Sequence, residues 1–169
     1  MTRSVIVLGT AHEFQGPKFT GHVKDPSYVM LIETSIDGCD FVFEEASGRR
    51  PTIAEELVNS TLGDGHYLDV DPQASERLQY GIPAETTASW PISMHDSPES
   101  YTSMFVTPQR LREELWIKRI DKERFSKALF IVGIGHSLSV AFRLENAGFV
   151  IEEARAYTPY NNLCRRRHA

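Results

Sequence analysis

Apolar positions along this chain switch repeatedly between short continuous runs and a helical period. "SVIVL" at residues 4–8 is brief, continuous and β-branched, the signature of a buried strand. "DPSYVMLIETSID" then sets Tyr28, Val29, Leu31, Ile32 and Ile36 on one helical face, with Asp25-Pro26 as N-cap and first-turn proline. "CDFVFEEA" predicts a second strand near residues 40–44. "RRPTIAEELVNSTLG" predicts a helix opened by a Thr52/Glu55 capping box and closed by Gly63. "HYLDV" reads as a third strand, followed by Asp71-Pro72 capping a short helix through Tyr80. Thr107-Pro108 starts a helix, "QRLREELWIKRID", with Leu111, Leu115 and Ile120 inward and its Arg and Glu residues outward. "ALFIVGIG" is the fourth strand, "SLSVAFRLENAG" a helix stopped at Gly148, and "FVIEEA" the last strand.

Strands alternating with helices predict βαβ units. The expected fold is a single α/β domain over residues 1–160, with a mainly parallel sheet of about five strands flanked by helices. Residues 85–106, "ETTASWPISMHDSPESYTSMFV", lack any clear period and predict a long loop or lid carrying His95. Residues 161–169 read as a basic, solvated C-terminal tail.

Charge and cysteine usage narrow the function classes. With 18 Lys and Arg against 23 Asp and Glu, the chain has no basic footprint, which argues against a nucleic-acid partner. Cys39 and Cys164 are isolated thiols without metal-ligand spacing, as suits a reducing cytoplasm. No run approaches the roughly 20 apolar residues of a membrane span, and the first apolar run is too short for a signal peptide. The expectation is a cytoplasmic protein with no membrane partner, acting on a small molecule or peptide.

In an open parallel sheet, ligands bind beyond the C-terminal strand ends. There the first strand delivers His12 and Glu13, the second Glu44 and Glu45, the third Asp69 and Asp71, and the fourth His136. Each has an ordinary reading alone. Gly133 and Gly135 can serve a tight turn, Asp71 can cap a helix, and strand alternation sends Glu44 and Glu45 to opposite faces. His22 and His66 lie in loops and carry no signal. Together the residues suggest more: two imidazoles and a carboxylate can hold a divalent ion, or a histidine can act as general base oriented by a glutamate. Either arrangement activates water, and the helix N-termini beside them favour an anionic intermediate. "HEFQG" is not H-E-x-x-H, and neither a G-x-S-x-G elbow, a P-loop nor a dinucleotide fingerprint is present.

"GTAH" after a first strand, the acidic strand end of "CDFVFEEASGRR", and "VGIGH" opening a late helix together resemble the TraB/Tiki/ChaN superfamily, which includes the erythromycin esterases as distant members. The resemblance spans roughly residues 3–153 and is strongest to small bacterial members. It implies an α/β core with two G-x-x-H motifs, Gly9–His12 and Gly133–His136, and a glutamate at Glu45. It further implies an arginine nearby at Arg49 or Arg50, and a helical arginine at Arg112. Members of that superfamily include metal-dependent proteases, hydrolases with a histidine base, and haem binders.

The resulting expectation is a hydrolase acting on a peptide, ester or lactone bond through His12, Glu45 and His136. Zinc, manganese, cobalt or iron is its possible metal. Glu44 and Arg112 assist catalysis, with Glu13, Arg49, Asp69 and His95 around the substrate or behind the site. A ligand- or haem-binding module with His12 and His136 as axial ligands is the first alternative. A Toprim-like magnesium site at Glu45, Asp69 and Asp71, for phosphoryl transfer, is the second.

Overall fold

Period-two alternation sorts the strand residues onto two faces, and the fold follows from what covers each. The structure, a computed structural model, describes residues 2–16, 25–46, 50–82 and 106–157. Its strands are β1 (Ser4–Thr10), β2 (Phe41–Glu44), β3 (Tyr67–Asp69), β4 (Lys127–Gly133) and β5 (Val150–Tyr157). They form one sheet in the order β3-β2-β4-β1-β5, parallel throughout. The helices are α1 (Pro26–Ile36), α2 (Ile53–Thr61), α3 (Ala74–Gln79), α4 (Thr107–Lys122) and α5 (Ser137–Asn146).

On one face Val5, Val7, Phe41, Phe43, Phe130 and Val132 pack against Trp116 and Ile120 of α4 and Val140 and Leu144 of α5. On the other, Ile6, Leu8, Val42, Leu129 and Ile131 pack against Tyr28 and Ile32 of α1 and Ile53 and Val58 of α2. The expected parallel α/β architecture is therefore the observed one, with helices in two layers. Among the described residues no helix is long and apolar enough to cross a membrane.

The strand order creates a reversal. The connections through α1 and α2 lead from β1 toward the β3 edge over one face. Those through α4 and α5 lead toward the β5 edge over the other. The winding changes direction between β1 and β4, and at such a switch point the connecting segments part to leave a crevice beyond the C-terminal strand ends.

Local signals hold at most boundaries. Asp25 accepts from the Ser27 N–H at 2.9 Å and caps α1. Gly63 and Gly148 end α2 and α5 at φ of +90° and +91°, where a side chain would be strained. Three expectations need correction. Thr52 caps α2 by accepting from the Glu55 N–H at 3.1 Å, but the Glu55 carboxylate pairs with Arg50 instead of completing the box. Gln73, and not Asp71, caps α3, because Asp71 is drawn to arginines of α3 and α4. On α4, Arg112 and Glu113 face inward and are buried along with Leu115, Trp116 and Ile120. Residues 85–105, with His95, lie outside the described residues, as do Arg49 and the tail at 161–169.

The β1–α5 approach is close enough to demand glycine. A Cβ on Gly9 would lie 2.8 Å from the Ser137 Cβ and 3.3 Å from the Ile134 Cα, whereas one on Gly135 would meet nothing within 4 Å. Gly9→Ala should therefore cost about 1–3 kcal/mol in urea denaturation. Gly135→Ala, the matched control, should stay within about 0.5 kcal/mol of the parent.

Candidate functional site

The two G-x-x-H segments end on neighbouring strands, with Thr10 of β1 paired to Gly133 of β4. Beyond Thr10 the chain makes one 3-10 turn, His12–Phe14, which lays the His12 ring across Gly133. A Cβ on Gly133 would sit 2.8 Å from His12 Nε2 and 3.2 Å from Glu45 Oε2. The glycines are thus reciprocal. Gly9 admits the turn that follows β4, and Gly133 admits the histidine that follows β1.

Glu45 follows β2 and is 1% exposed. Its Oε2 accepts the Gly133 N–H at 2.8 Å, and its Oε1 accepts from Arg112 Nη2 at 2.7 Å. His12 Nε2 lies 3.6 Å from the same Oε1, and the His12 side chain keeps 33% of its surface exposed. Arg112 also donates to Asp71 Oδ1, at 2.8 Å from Nη2 and 3.2 Å from Nε. Arg77 donates to Asp71 Oδ2 at 2.5 Å, and Trp116 Nε1 donates to Oδ1 at 3.3 Å. Burial alone would lower the Arg112 value, but the charges of Glu45 and Asp71 outweigh it and hold the guanidinium above its ordinary range.

His136 joins the same network from β4. Its ring meets Trp116 edge-on at 5.1 Å, and the Arg112 guanidinium lies 5.1 Å from the centre of the Trp116 indole. Its Nδ1 lies 2.7 Å from Glu113 Oε1, an oxygen that also accepts from Ser139 Oγ at 2.6 Å. Arg143 Nε donates to the other oxygen at 2.8 Å. Burial would raise the Glu113 carboxyl, yet these three hydrogen bonds together hold it below its ordinary value. The ionised Glu113 fixes Nδ1 as the protonated nitrogen of His136 and can compensate an imidazolium formed there.

His12 is oriented by an amide. Gln15 Nε2 donates to Glu44 Oε1 at 3.0 Å and to the Glu45 carbonyl at 3.2 Å. A backbone carbonyl only accepts, so the amide orientation follows from the network, and Gln15 Oε1 faces His12 Nδ1 at 2.6 Å. Nδ1 therefore carries a hydrogen, and in the neutral form of the ring the lone pair is on Nε2, beside Glu45.

The structure thus links His12, Glu45, Arg112 and His136 through contacts, with Glu44 behind His12. Other expected residues lie elsewhere. Glu13 is exposed, and Gln15 is the residue that touches His12. Arg50 pairs with Glu55 and stacks over Tyr67. Asp69 braces two turns, its Oδ1 accepting from the Ala46 and Asp71 N–H groups at 3.2 and 3.0 Å. Its Oδ2 is buried with no hydrogen-bond partner among the described residues, and burial raises its carboxyl.

Sequence reasoning missed Gln15, Glu113 and Trp116, and it read Asp71 as a helix cap or magnesium ligand and not as the partner of Arg77 and Arg112. Gln15 alone had a local signal, lying three residues past His12 inside the same turn.

A divalent ion fits this donor set poorly. Both Glu45 oxygens already accept hydrogen bonds, one of them from a guanidinium at 2.7 Å. Among the described residues, no three His, Cys, Asp or Glu side chains converge as a ligand group. Asp71 likewise binds the protein's own cations, which leaves little for magnesium. No protein-family model and no curated protein matches this sequence.

Glu44 is fully buried, and burial pushes its carboxyl from 4.5 up to about 7 despite hydrogen bonds from Thr52, Tyr67 and Gln15. It holds its proton more tightly folded than unfolded. Its contribution to stability is therefore complete below pH 4.5 and is lost as pH rises through about 7. The loss is on the order of 3 kcal/mol. Urea denaturation across this range should show the decline, and Glu44→Gln should flatten it.

Proposed function

We propose that this protein is a hydrolase in which His12 acts as general base, activating water against a peptide, ester or lactone carbonyl. One observation carries the reading: His12 Nε2 lies 3.6 Å from Glu45 Oε1, on a ring that reaches solvent and whose Nδ1 faces the Gln15 carbonyl oxygen. Two acceptors so placed call for a hydrogen between them. A bound water supplies it before reaction, and the ring supplies it after taking up a proton. Glu45, fixed by Arg112 and the Gly133 N–H, would then compensate the imidazolium as it forms.

In this reading His12 Nε2 takes a proton from water as the water oxygen bonds to the carbonyl carbon. The carbonyl π pair moves onto its oxygen, and the N-terminus of α5 favours that charge, as would an imidazolium at His136 compensated by Glu113. Collapse of the intermediate breaks the bond to the leaving group, which receives the proton from His12. Arg112 acts behind the site, because both its carboxylate partners are buried with it. The resemblance to the esterase-type members of the TraB/Tiki/ChaN superfamily supports the same assignment for His12, Glu45 and His136.

The test is a screen of chromogenic esters, lactones and peptides with and without chelator. Hydrolysis should persist in chelator, and His12→Ala should lower kcat at least about 100-fold with the far-UV circular dichroism unchanged. A folded, fully active His12→Ala variant would overturn the reading. So would activity abolished by chelator and restored by zinc. A Soret band in the purified protein would favour the haem-binding alternative.

A further inference from the structure

We propose that Glu44 is a positioning residue that sets the tautomer of His12, acting through the side-chain amide of Gln15. The inference deepens the base role given to His12 and rests on that reading for its catalytic consequence. The tautomer itself can be read without any substrate.

The polarity of the buried chain supports it. The Glu55 N–H donates to Thr52 Oγ1 at 3.1 Å, so the Thr52 hydroxyl hydrogen is free to go to Glu44 Oε2, 2.5 Å away. Tyr67 donates to the same oxygen at 2.8 Å. Gln15 Nε2 donates to Oε1 at 3.0 Å, and behind it His12 Nδ1 donates to the Gln15 carbonyl oxygen at 2.6 Å. Every hydrogen in this chain points toward Glu44. Gln15 is itself fully buried, and its backbone carbonyl is held by the Ile53 N–H at 2.8 Å, so the amide has little freedom except to turn end for end.

Together with the Glu45 carbonyl, an ionised carboxylate at position 44 opposes that turn. Above about pH 7, where Glu44 is ionised and only accepts, it can face the Gln15 NH2 but not its carbonyl oxygen. With an amide at position 44, the oxygen would stay with Thr52 and Tyr67 and the NH2 would face Gln15. Gln15 would then present its carbonyl to residue 44 and its NH2 to His12. Nδ1 would have to accept, and the ring hydrogen would move to Nε2, removing the lone pair from the side that faces Glu45. The Gln15 bond to the Glu45 carbonyl opposes the turn and makes the outcome a shift of population rather than a complete exchange.

The experiment is nitrogen-detected NMR of the histidine rings at pH 8.5, in the parent, Glu44→Gln and Gln15→Leu proteins. In the parent, His12 should be predominantly the Nδ1–H form. In Glu44→Gln it should move toward Nε2–H, with kcat reduced roughly 10–100-fold and KM little changed. Gln15→Leu should abolish the preference and make it indifferent to residue 44. A folded Glu44→Gln protein with unaltered Nδ1–H would overturn the proposal. Should Glu44→Gln not fold, Gln15→Leu decides alone: loss of the preference supports the proposal, and its retention contradicts it. A tautomer shift without loss of hydrolysis would uphold the proposal and remove His12 from the role of base.

Discussion

The site depends on a buried ion cluster in which Arg112 holds Glu45 and Asp71 together. These carboxylates follow β2 and β3, and Arg112 comes from α4 on the face opposite α1 and α2. Desolvating such groups is expensive and is offset only where geometry and further hydrogen bonds are good. Here Arg77 supplies a second cation to Asp71, Trp116 adds a further donor to its Oδ1, and the Gly133 N–H satisfies the second oxygen of Glu45. The cluster leaves Glu45 with one orientation, and that orientation places Oε1 beside His12.

Reciprocal packing at the switch point provides the second constraint. Where the winding reverses between β1 and β4, each strand ends near a glycine that accommodates the segment following the other. The repeated strand-Gly-x-x-His device is therefore a packing solution. It brings two distant histidines to one sheet edge, where different partners orient them. An amide holds His12 and a carboxylate holds His136. The two rings therefore sit in different electrostatic surroundings, one beside a neutral amide and one beside a carboxylate.

The strands, the parallel sheet and the candidate histidines were legible because their signals are local: β-branched runs, cap residues, and glycines at strand ends. Glu44 and Glu45 were separable by alternation, and they do diverge, one toward Thr52 of the α2 cap and one toward α4. What was not legible depends on long-range pairing. Asp71-Pro72 has the local form of a helix cap, but Arg112, 41 residues away, supplies a stronger partner. Arg112 and Glu113 disturb the aliphatic period of α4 and so read as outward. They are buried because this part of α4 covers charged strand ends as well as the apolar core. Glu113 has no meaning until Ser139, Arg143 and His136 arrive from α5 and its approach.

The account stands on the Glu45–Arg112 contact, and a double-mutant cycle in stability measures it directly. Glu45→Gln and Arg112→Met should each cost roughly 3–5 kcal/mol in urea denaturation, because each leaves a buried charge poorly matched. The double variant should be more stable than the sum of the two losses predicts, by about 2 kcal/mol or more. Additive losses, agreeing to within about 0.5 kcal/mol, would show that the two groups do not meet and would contradict the account.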